Sequence, residues 1–247
     1  MDSGWHAEGS GQPHHHAWVA CVAPTDGLCI VFEGVEGSGK TTQLDRLAAS
    51  FARSGVAHRA FREPGGTPLG DDIRRLLLDP ASRVSARAEA LLFMASRAEL
   101  VSREVKPALL EGAVVLLDRF FLSTYAYQIA ARGLSSAAVR AANLLATEGL
   151  VPDLTLLMNL GAHVGMSRVA SRGGRDRMEL SGADFHHRVE TAFADFATSA
   201  WQLSHPECGV IVPIDAWGDA AVVEARVHDA VSLRFAQLRG ALAGDRQ

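Results

Sequence analysis

Gly34-Val35-Glu36-Gly37-Ser38-Gly39-Lys40-Thr41-Thr42 places a lysine and two hydroxyls directly after a run of small residues, in the spacing G-x-x-x-x-G-K-T. That spacing suits phosphate. Backbone N–H groups from Gly34 to Gly39 can curl around phosphate oxygens, Lys40 can reach the β- and γ-phosphates of a nucleoside triphosphate, and the Thr41 hydroxyl can ligate Mg²⁺. Other reactive types end apolar runs. Arg62 and Arg119 could hold a monophosphate between them in bidentate contacts; a surface ion pair is the alternative, but an arginine directly after an aspartate at the end of a fully buried strand is poorly placed to be only that. Asp118, closing an apolar run, offers a carboxylate oxygen as a second ligand for Mg²⁺ or its water. Phe93 and Arg97 are four apart, so on a helix they offer one face: an aromatic plane for a base and a donor for its carbonyl. Phe93 as plain core is the alternative. Arg168, Arg172, Arg175 and Arg177 crowd around Gly173-Gly174, which suits either a hinged cover or an exposed basic loop. Since the glycine loop carries no cation besides Lys40, charge developing in a transition state needs another source, with Arg172 and Arg175 the first choices.

The elements that must position these groups follow from periodicity. Leu28 to Phe32 is an apolar run closed by Glu33, and Lys40 to Ser54 repeats Leu44, Leu47, Ala48 and Phe51 at helical spacing. A helix starting inside the loop would aim its partial positive charge at the nucleotide. Val56–Arg62 reads as a second strand, and Glu63-Pro64-Gly65-Gly66-Thr67-Pro68 is dense in turn residues. Leu69–Leu78 reads as a short helix, 86 to about 102 as a longer one, with a further helical piece to Glu111. Ala113–Leu117, Leu154–Met158 and Val210–Ile214 complete five strands, the last an edge strand on account of Pro213. Helical segments are expected over 120–131, 135–149, 162–171, 182–204 and 219–238. Five strands alternating with helices make an α/β fold, a parallel sheet covered on both faces, with ligands beyond the strands' carboxyl ends.

Composition narrows the class. With 247 residues, 48% of them hydrophobic, the chain can bury the core of one α/β domain over about 28–240. A net charge of −4 gives no sign of a nucleic-acid coat or a polybasic membrane patch. Cys21, Cys29 and Cys208 form no C-x-x-C pair, which points to reduced thiols and a cytoplasmic setting, with Cys29 packed in the first strand. No apolar run approaches the ~20 residues of a membrane helix. Residues 1–27, with His14-His15-His16, read as a disordered extension without a metal site.

Together these segments resemble the thymidylate kinase family. The resemblance runs through Phe32 to Gln43, Arg62 to Thr67, Leu92 to Arg97, Asp118-Arg119-Phe120, Ser123 to Gln128, Pro152 to Thr155, Arg172 to Arg177 and Ile214-Asp215. It implies a P-loop NTPase fold with a short arginine-rich lid, ATP and Mg²⁺ as phosphoryl donor, dTMP as acceptor, and pairing as a homodimer. By the same resemblance Glu36 contacts the acceptor sugar's 3′-hydroxyl, Thr124 bonds the base, Tyr127 fills the place of a ribose 2′-hydroxyl, and Gln128 lies in the acceptor site. ATP would lie along Gly34 and Glu36 to Thr42. Phe120 departs from the family, where Tyr or His is common, and puts a hydrogen bond there in doubt. Two rival readings remain: a deoxynucleoside kinase with Glu63 as general base, and a nucleotide-binding protein without turnover.

Overall fold

The computed structural model describes residues 27–161, 164–165 and 176–243. The expected extension at 1–27, the expected helix at 162–171, and Arg168, Arg172 and Arg175 therefore lie wholly or mostly outside the described residues.

Five parallel strands form one sheet in the order β2-β3-β1-β4-β5: β1 Leu28–Glu33, β2 His58–Arg62, β3 Val114–Asp118, β4 Leu154–Asn159 and β5 Ile211–Asp215. β1, β3 and β4 are mainly apolar, each closed by a polar residue (Glu33, Asp118, Asn159), because both their faces are covered. Cys29, Val31, Val115, Leu117 and Leu157 pack into the core on one face, and Ile30, Phe32, Leu116, Leu156 and Met158 into the core on the other. β5 takes an edge, where Pro213 forfeits only one ladder donor. The second strand begins two residues later than expected, since the Val56 N–H still closes the end of the preceding helix on the Phe51 carbonyl at 2.9 Å.

Helices α1 (Lys40–Arg53), α2 (Pro68–Leu78), α3 (Ala86–Leu100) and α4 (Lys106–Leu110) precede β3. A wide π-helical turn over Val101–Val105 joins α3 to α4. Pro107 lacks an N–H and its ring crowds the carbonyl of Arg103, which favours that widening. After β3, α5 (Phe121–Thr124) widens into a second π-helical stretch, Tyr125–Ala131, and α6 (Ser136–Thr147) leads to β4. The expected single helix over 182–204 is two, α7 (Ala183–Phe196) and α8 (Ser199–Ser204). Thr198 breaks it: its hydroxyl accepts from the Trp201 N–H and donates to the Asp195 carbonyl, capping a new start. The chain closes with α9 (Ala220–Arg234) and α10 (Arg239–Ala243), packed with α1 on one face. No helix among the described residues is long and apolar enough to cross a membrane.

Register then places the chemistry. Asp118 pairs with Phe32 on one side and with Arg62 on the other, so the ends of β1, β2 and β3 stand side by side along one rim of the sheet.

Candidate active site

Beyond that rim lies a crevice of about 260 Å³. Its floor is the glycine loop. Gly39 sits at φ 92° as the residue before α1, where a side chain would be strained, and no side chain caps the helix, so its first N–H groups face outward. Lys40 is 6% exposed and donates to the carbonyls of Gly34 (3.1 Å) and Val35 (2.8 Å). Burial, helped by the positive charge of Arg119, pushes its pKa down to about 8, against the pull of Asp118, Glu36 and Glu33. The Thr41 hydroxyl donates to Asp118 Oδ2 at 2.5 Å. Two hard oxygen donors this close, beside the loop, fit a cation such as Mg²⁺ that takes one or two protein ligands and completes its shell with phosphate and water. Gly37, Gly39 and Thr42 also line the crevice, whereas Ser38 is buried beneath the loop within 3.5 Å of the Lys40 ammonium and Gly34 contributes its carbonyl to Lys40.

Glu33 does not face the crevice. Fully buried, it accepts from the backbone N–H groups of Phe120 (2.7 Å) and Ser123 (3.0 Å) and from the Ser123 hydroxyl (2.6 Å), and so caps α5. That cap stabilises a turn in which Arg119 takes φ 75°, a left-handed conformation costly for any residue that carries a β-carbon. The turn swings the Arg119 guanidinium over the loop, where it donates to Ser123 Oγ (2.9 Å) and Glu36 Oε1 (3.2 Å) and lies 5.4 Å above the Tyr127 ring. Tyr127 in turn donates to Glu36 Oε2 at 2.5 Å. Burial works to raise the Glu36 pKa, but Arg119, Lys40 and the Tyr127 hydroxyl outweigh it and hold the carboxyl below its ordinary value. Burial and the Glu36 charge push the Tyr127 phenol well up, so it remains a neutral donor.

Phe93 is half-buried on the crevice wall and outside both core clusters, which removes the plain-core reading. Arg97 lines the same crevice, but the expected base donor is committed elsewhere. Its guanidinium donates to both oxygens of Glu63, to Thr124 Oγ1, to Asn143 Oδ1 and to the Phe120 carbonyl, which uses all of its N–H groups. Arg97 and Glu63 are 2% and 5% exposed, and the Phe120 ring lies 4.8 Å beneath the guanidinium. Phe120 thus supplies a carbonyl and a ring face where the family pattern would place a polar side chain. Burial raises the Glu63 pKa while Arg97 opposes it, and with both oxygens held by Arg97 the residue is not placed to act as a base.

Arg62 is exposed at the crevice and has no carboxylate partner among the described residues. Beside it stands Arg74 of α2, which sequence reasoning missed: nothing in a helical Arg-Arg pair tells Arg74 from the solvated Arg75. Burial, and the crowding of Arg62 and Arg119, lower the pKa of Arg74 despite Asp176 and Asp118. Three guanidiniums crowded enough to depress one of them form a site for an anion. Asp176, Met178 and Glu179 also line the crevice. Arg177 reaches Glu89 of α3 at 2.7 Å and the Leu77 carbonyl at 2.7 Å, while its neighbour Asp176 accepts at Oδ1 from the N–H groups of Met178 and Glu179.

A parallel sheet with a phosphate loop on its central strand, and an arginine cluster facing that loop across one crevice, define a kinase that transfers phosphoryl groups to a small anionic acceptor. The thymidylate kinase family profile matches residues 32–204. The chain is 44% identical over 210 residues to the thymidylate kinase of Deinococcus radiodurans, covering 85% of this chain and 98% of that one. It is 41% identical to that of Trichlorobacter lovleyi, over 85% of this chain and 99% of the relative. The crystal structure of thymidylate kinase from Ehrlichia chaffeensis superposes with a TM-score of 0.65 at 29% identity, covering 85% of this chain and 100% of that one. The chain belongs to the thymidylate kinase family.

Proposed function

We propose that the protein transfers the γ-phosphoryl group of ATP to the 5′-phosphate of dTMP, giving dTDP and ADP. The observation that carries this reading is the convergence of Arg62, Arg74 and Arg119 on the crevice floored by the glycine loop. An acceptor phosphate has a second pKa near 6 and is ionised at neutral pH, so no general base is required. That agrees with Glu63 being locked to Arg97. A neutral 5′-hydroxyl acceptor, as in a deoxynucleoside kinase, would find its expected base, Glu63, locked to Arg97 and would have no use for three arginines.

In this reading Lys40 and the open N–H groups of α1 hold the donor phosphates. Thr41 and Asp118 would hold Mg²⁺, which when bound neutralises phosphate charge. The acceptor base lies on Phe93, with Thr124 and Gln128 on its polar edge, and Arg97 braces that wall. Glu36, held by Arg119 and Tyr127, meets the sugar's 3′-hydroxyl, while Tyr127 occupies the space of a 2′-hydroxyl. Arg172 and Arg175 supply charge to the transferring group. Catalysis then consists of positioning and charge neutralisation. Pairing with a second copy is supported by exposed Leu69 and Leu76 on α2, Leu91 on α3, and Leu144 and Leu145 on α6, with α3 packed against both α2 and α6. Light scattering of the purified chain tests it, a dimer being the expected mass.

The deciding experiment is a coupled ADP-release assay over thymidine, dTMP, dUMP, UMP and dCMP. Turnover of dTMP with none of thymidine is the expected result. Turnover of thymidine, or of nothing, overturns the reading.

A further inference from the structure

Tyr125 and Tyr127 stand two residues apart at the start of the second π-helical stretch, a spacing that sends side chains to roughly opposite sides of a helix. Tyr127 faces forward, to Glu36 and the crevice, which Ser123, Thr124 and Gln128 also line. Tyr125 faces the rear. It is 3% exposed and donates to Glu207 Oε1 at 2.9 Å, with the rings of Trp201 and His205 beside its own at 6.1 and 5.7 Å. Burial, with Cys208 and Glu207 beside it, pushes the Tyr125 phenol up, so it remains the donor. Glu207 is 1% exposed, and Arg140 of α6 reaches the same oxygen at 2.9 Å. Its backbone belongs to the 3₁₀ turn Pro206–Cys208, which is fastened to the sheet. The Thr155 hydroxyl of β4 donates to the Cys208 carbonyl at 3.2 Å, and the Thr155 N–H to that of Val210 at 2.7 Å.

We propose that Glu207 is a positioning residue for the acceptor site: by holding Tyr125 from behind, it fixes the rotation of the π-helical stretch and with it the placement of the Tyr127 ring beside the acceptor sugar. This rests on the dTMP reading above. A π-helical turn is rare, and contacts from outside must hold one in place. Glu33 secures only the approach to the stretch, at Phe120 and Ser123. A single tether at Tyr127 would leave the stretch free to turn about its own axis. Two carboxylates on opposite sides, Glu36 in front and Glu207 behind, remove that freedom. A buried ion pair such as Glu207 with Arg140 is seldom more stabilising than an apolar contact of the same volume, and what it adds is direction. Here the direction runs from a turn bonded to β4, through the phenol of Tyr125, to the wall of the crevice.

The test measures kcat and KM for dTMP and ATP, and kcat/KM for dUMP and UMP, in the native protein, Tyr125→Phe and Glu207→Gln. Tyr125→Phe keeps the ring and loses only the tether. Its dUMP:UMP ratio should fall roughly 3- to 10-fold and its KM for dTMP should rise, while kcat and the KM for ATP stay near their native values. Glu207→Gln still offers the phenol an acceptor and should keep the native ratio. Lost stability alone would move neither the ratio nor the split between the two KM values. In a Tyr127→Phe background the further change Tyr125→Phe should alter the ratio little, because its effect passes through Tyr127. A native ratio in folded Tyr125→Phe overturns the proposal, as does a loss in Glu207→Gln or an equal loss in both backgrounds. Should Tyr125→Phe not fold, Glu207→Asp, one methylene shorter, takes its place with the same outcomes. A native protein that does not phosphorylate dTMP at all overturns the proposed function, and this proposal with it.

Discussion

Tyr127 and Glu36 are joined by a 2.5 Å hydrogen bond in which the phenol donates, across a gap of ninety-one positions in the chain. The bond ties the second π-helical stretch to the glycine loop, so the wall proposed for the acceptor sugar and the floor proposed for the donor phosphates are set by one contact. Removing the hydroxyl in Tyr127→Phe leaves Glu36 with Arg119 alone and opens space where a ribose 2′-hydroxyl would project. The dUMP:UMP ratio of kcat/KM should fall by the equivalent of about 1–3 kcal/mol. Steady-state kinetics with both nucleotides measures it, and an unchanged ratio removes Tyr127 from sugar selection.

The depressed pKa of Lys40 carries a sign for stability. Its pKa falls from 10.5 to about 8 on folding, so between those values the unfolded chain holds the proton more tightly and stability rises with pH. Below pH 8 the native state bears the full cost of a buried ammonium. Lys40→Met should accordingly abolish turnover while stabilising the nucleotide-free protein at pH 7, by on the order of 1–3 kcal/mol. That gain should shrink as pH rises from 8 toward 10.5, which denaturant melts at several pH values would record. ATP affinity of the native protein should weaken as pH passes through about 8.

Arg97→Lys keeps the charge but offers three donors in place of a planar fork. It would leave Glu63 and Asn143 incompletely bonded inside the protein, so a loss of about 2–4 kcal/mol in unfolding free energy is expected. Chemical denaturation checks this. A loss below ~1 kcal/mol would show that the Arg97 network is dispensable to the wall it braces.

Arg172 and Arg175 should differ from Arg177. Alanine at either of the first two should lower kcat by about 10³-fold, roughly 4 kcal/mol, and leave the KM for dTMP near its native value. Alanine at Arg177, which pairs with Glu89, should mainly reduce thermal stability and raise the KM for dTMP. If Arg172→Ala and Arg175→Ala both keep kcat within a few-fold, the catalytic cation must be sought at Arg62 or Arg119.

Much of the architecture was legible because it is written locally. Continuous apolar runs marked β1, β3 and β4, whose two faces are both buried, and the spacing from Gly34 to Thr41 specified a loop that a helix must follow. The break at Thr198 was less visible, since a threonine reads as helix interior or as cap depending on its own hydroxyl. The partners of Arg97 and Glu89, and the place of Arg74 at the crevice, were not visible at all. Arg97 looked like a ligand donor from its spacing to Phe93, but its partners Glu63, Thr124 and Asn143 are 27 to 46 positions away. Glu89 looked like any first-turn helical acid, although its arginine partners lie 43 and 88 positions downstream. Pairings at such separations leave no periodic trace. Arg62 and Arg119 could be picked out for an anion because both stand at strand ends, whereas Arg74 lines the same crevice from a helix face.

A β-carbon added to Gly37 would come within 2.2 Å of the Gly165 carbonyl oxygen, and one added to Gly165 within 2.2 Å of that of Glu36. Two bare backbones thus lie against each other, and the phosphate loop borrows part of its support from the residue just before the arginine-rich stretch. In mutational terms the positions are epistatic. An alanine at either should already separate the two backbones, so adding the second should cost much less than the first, and libraries that vary one while holding the other as glycine would find neither free to drift.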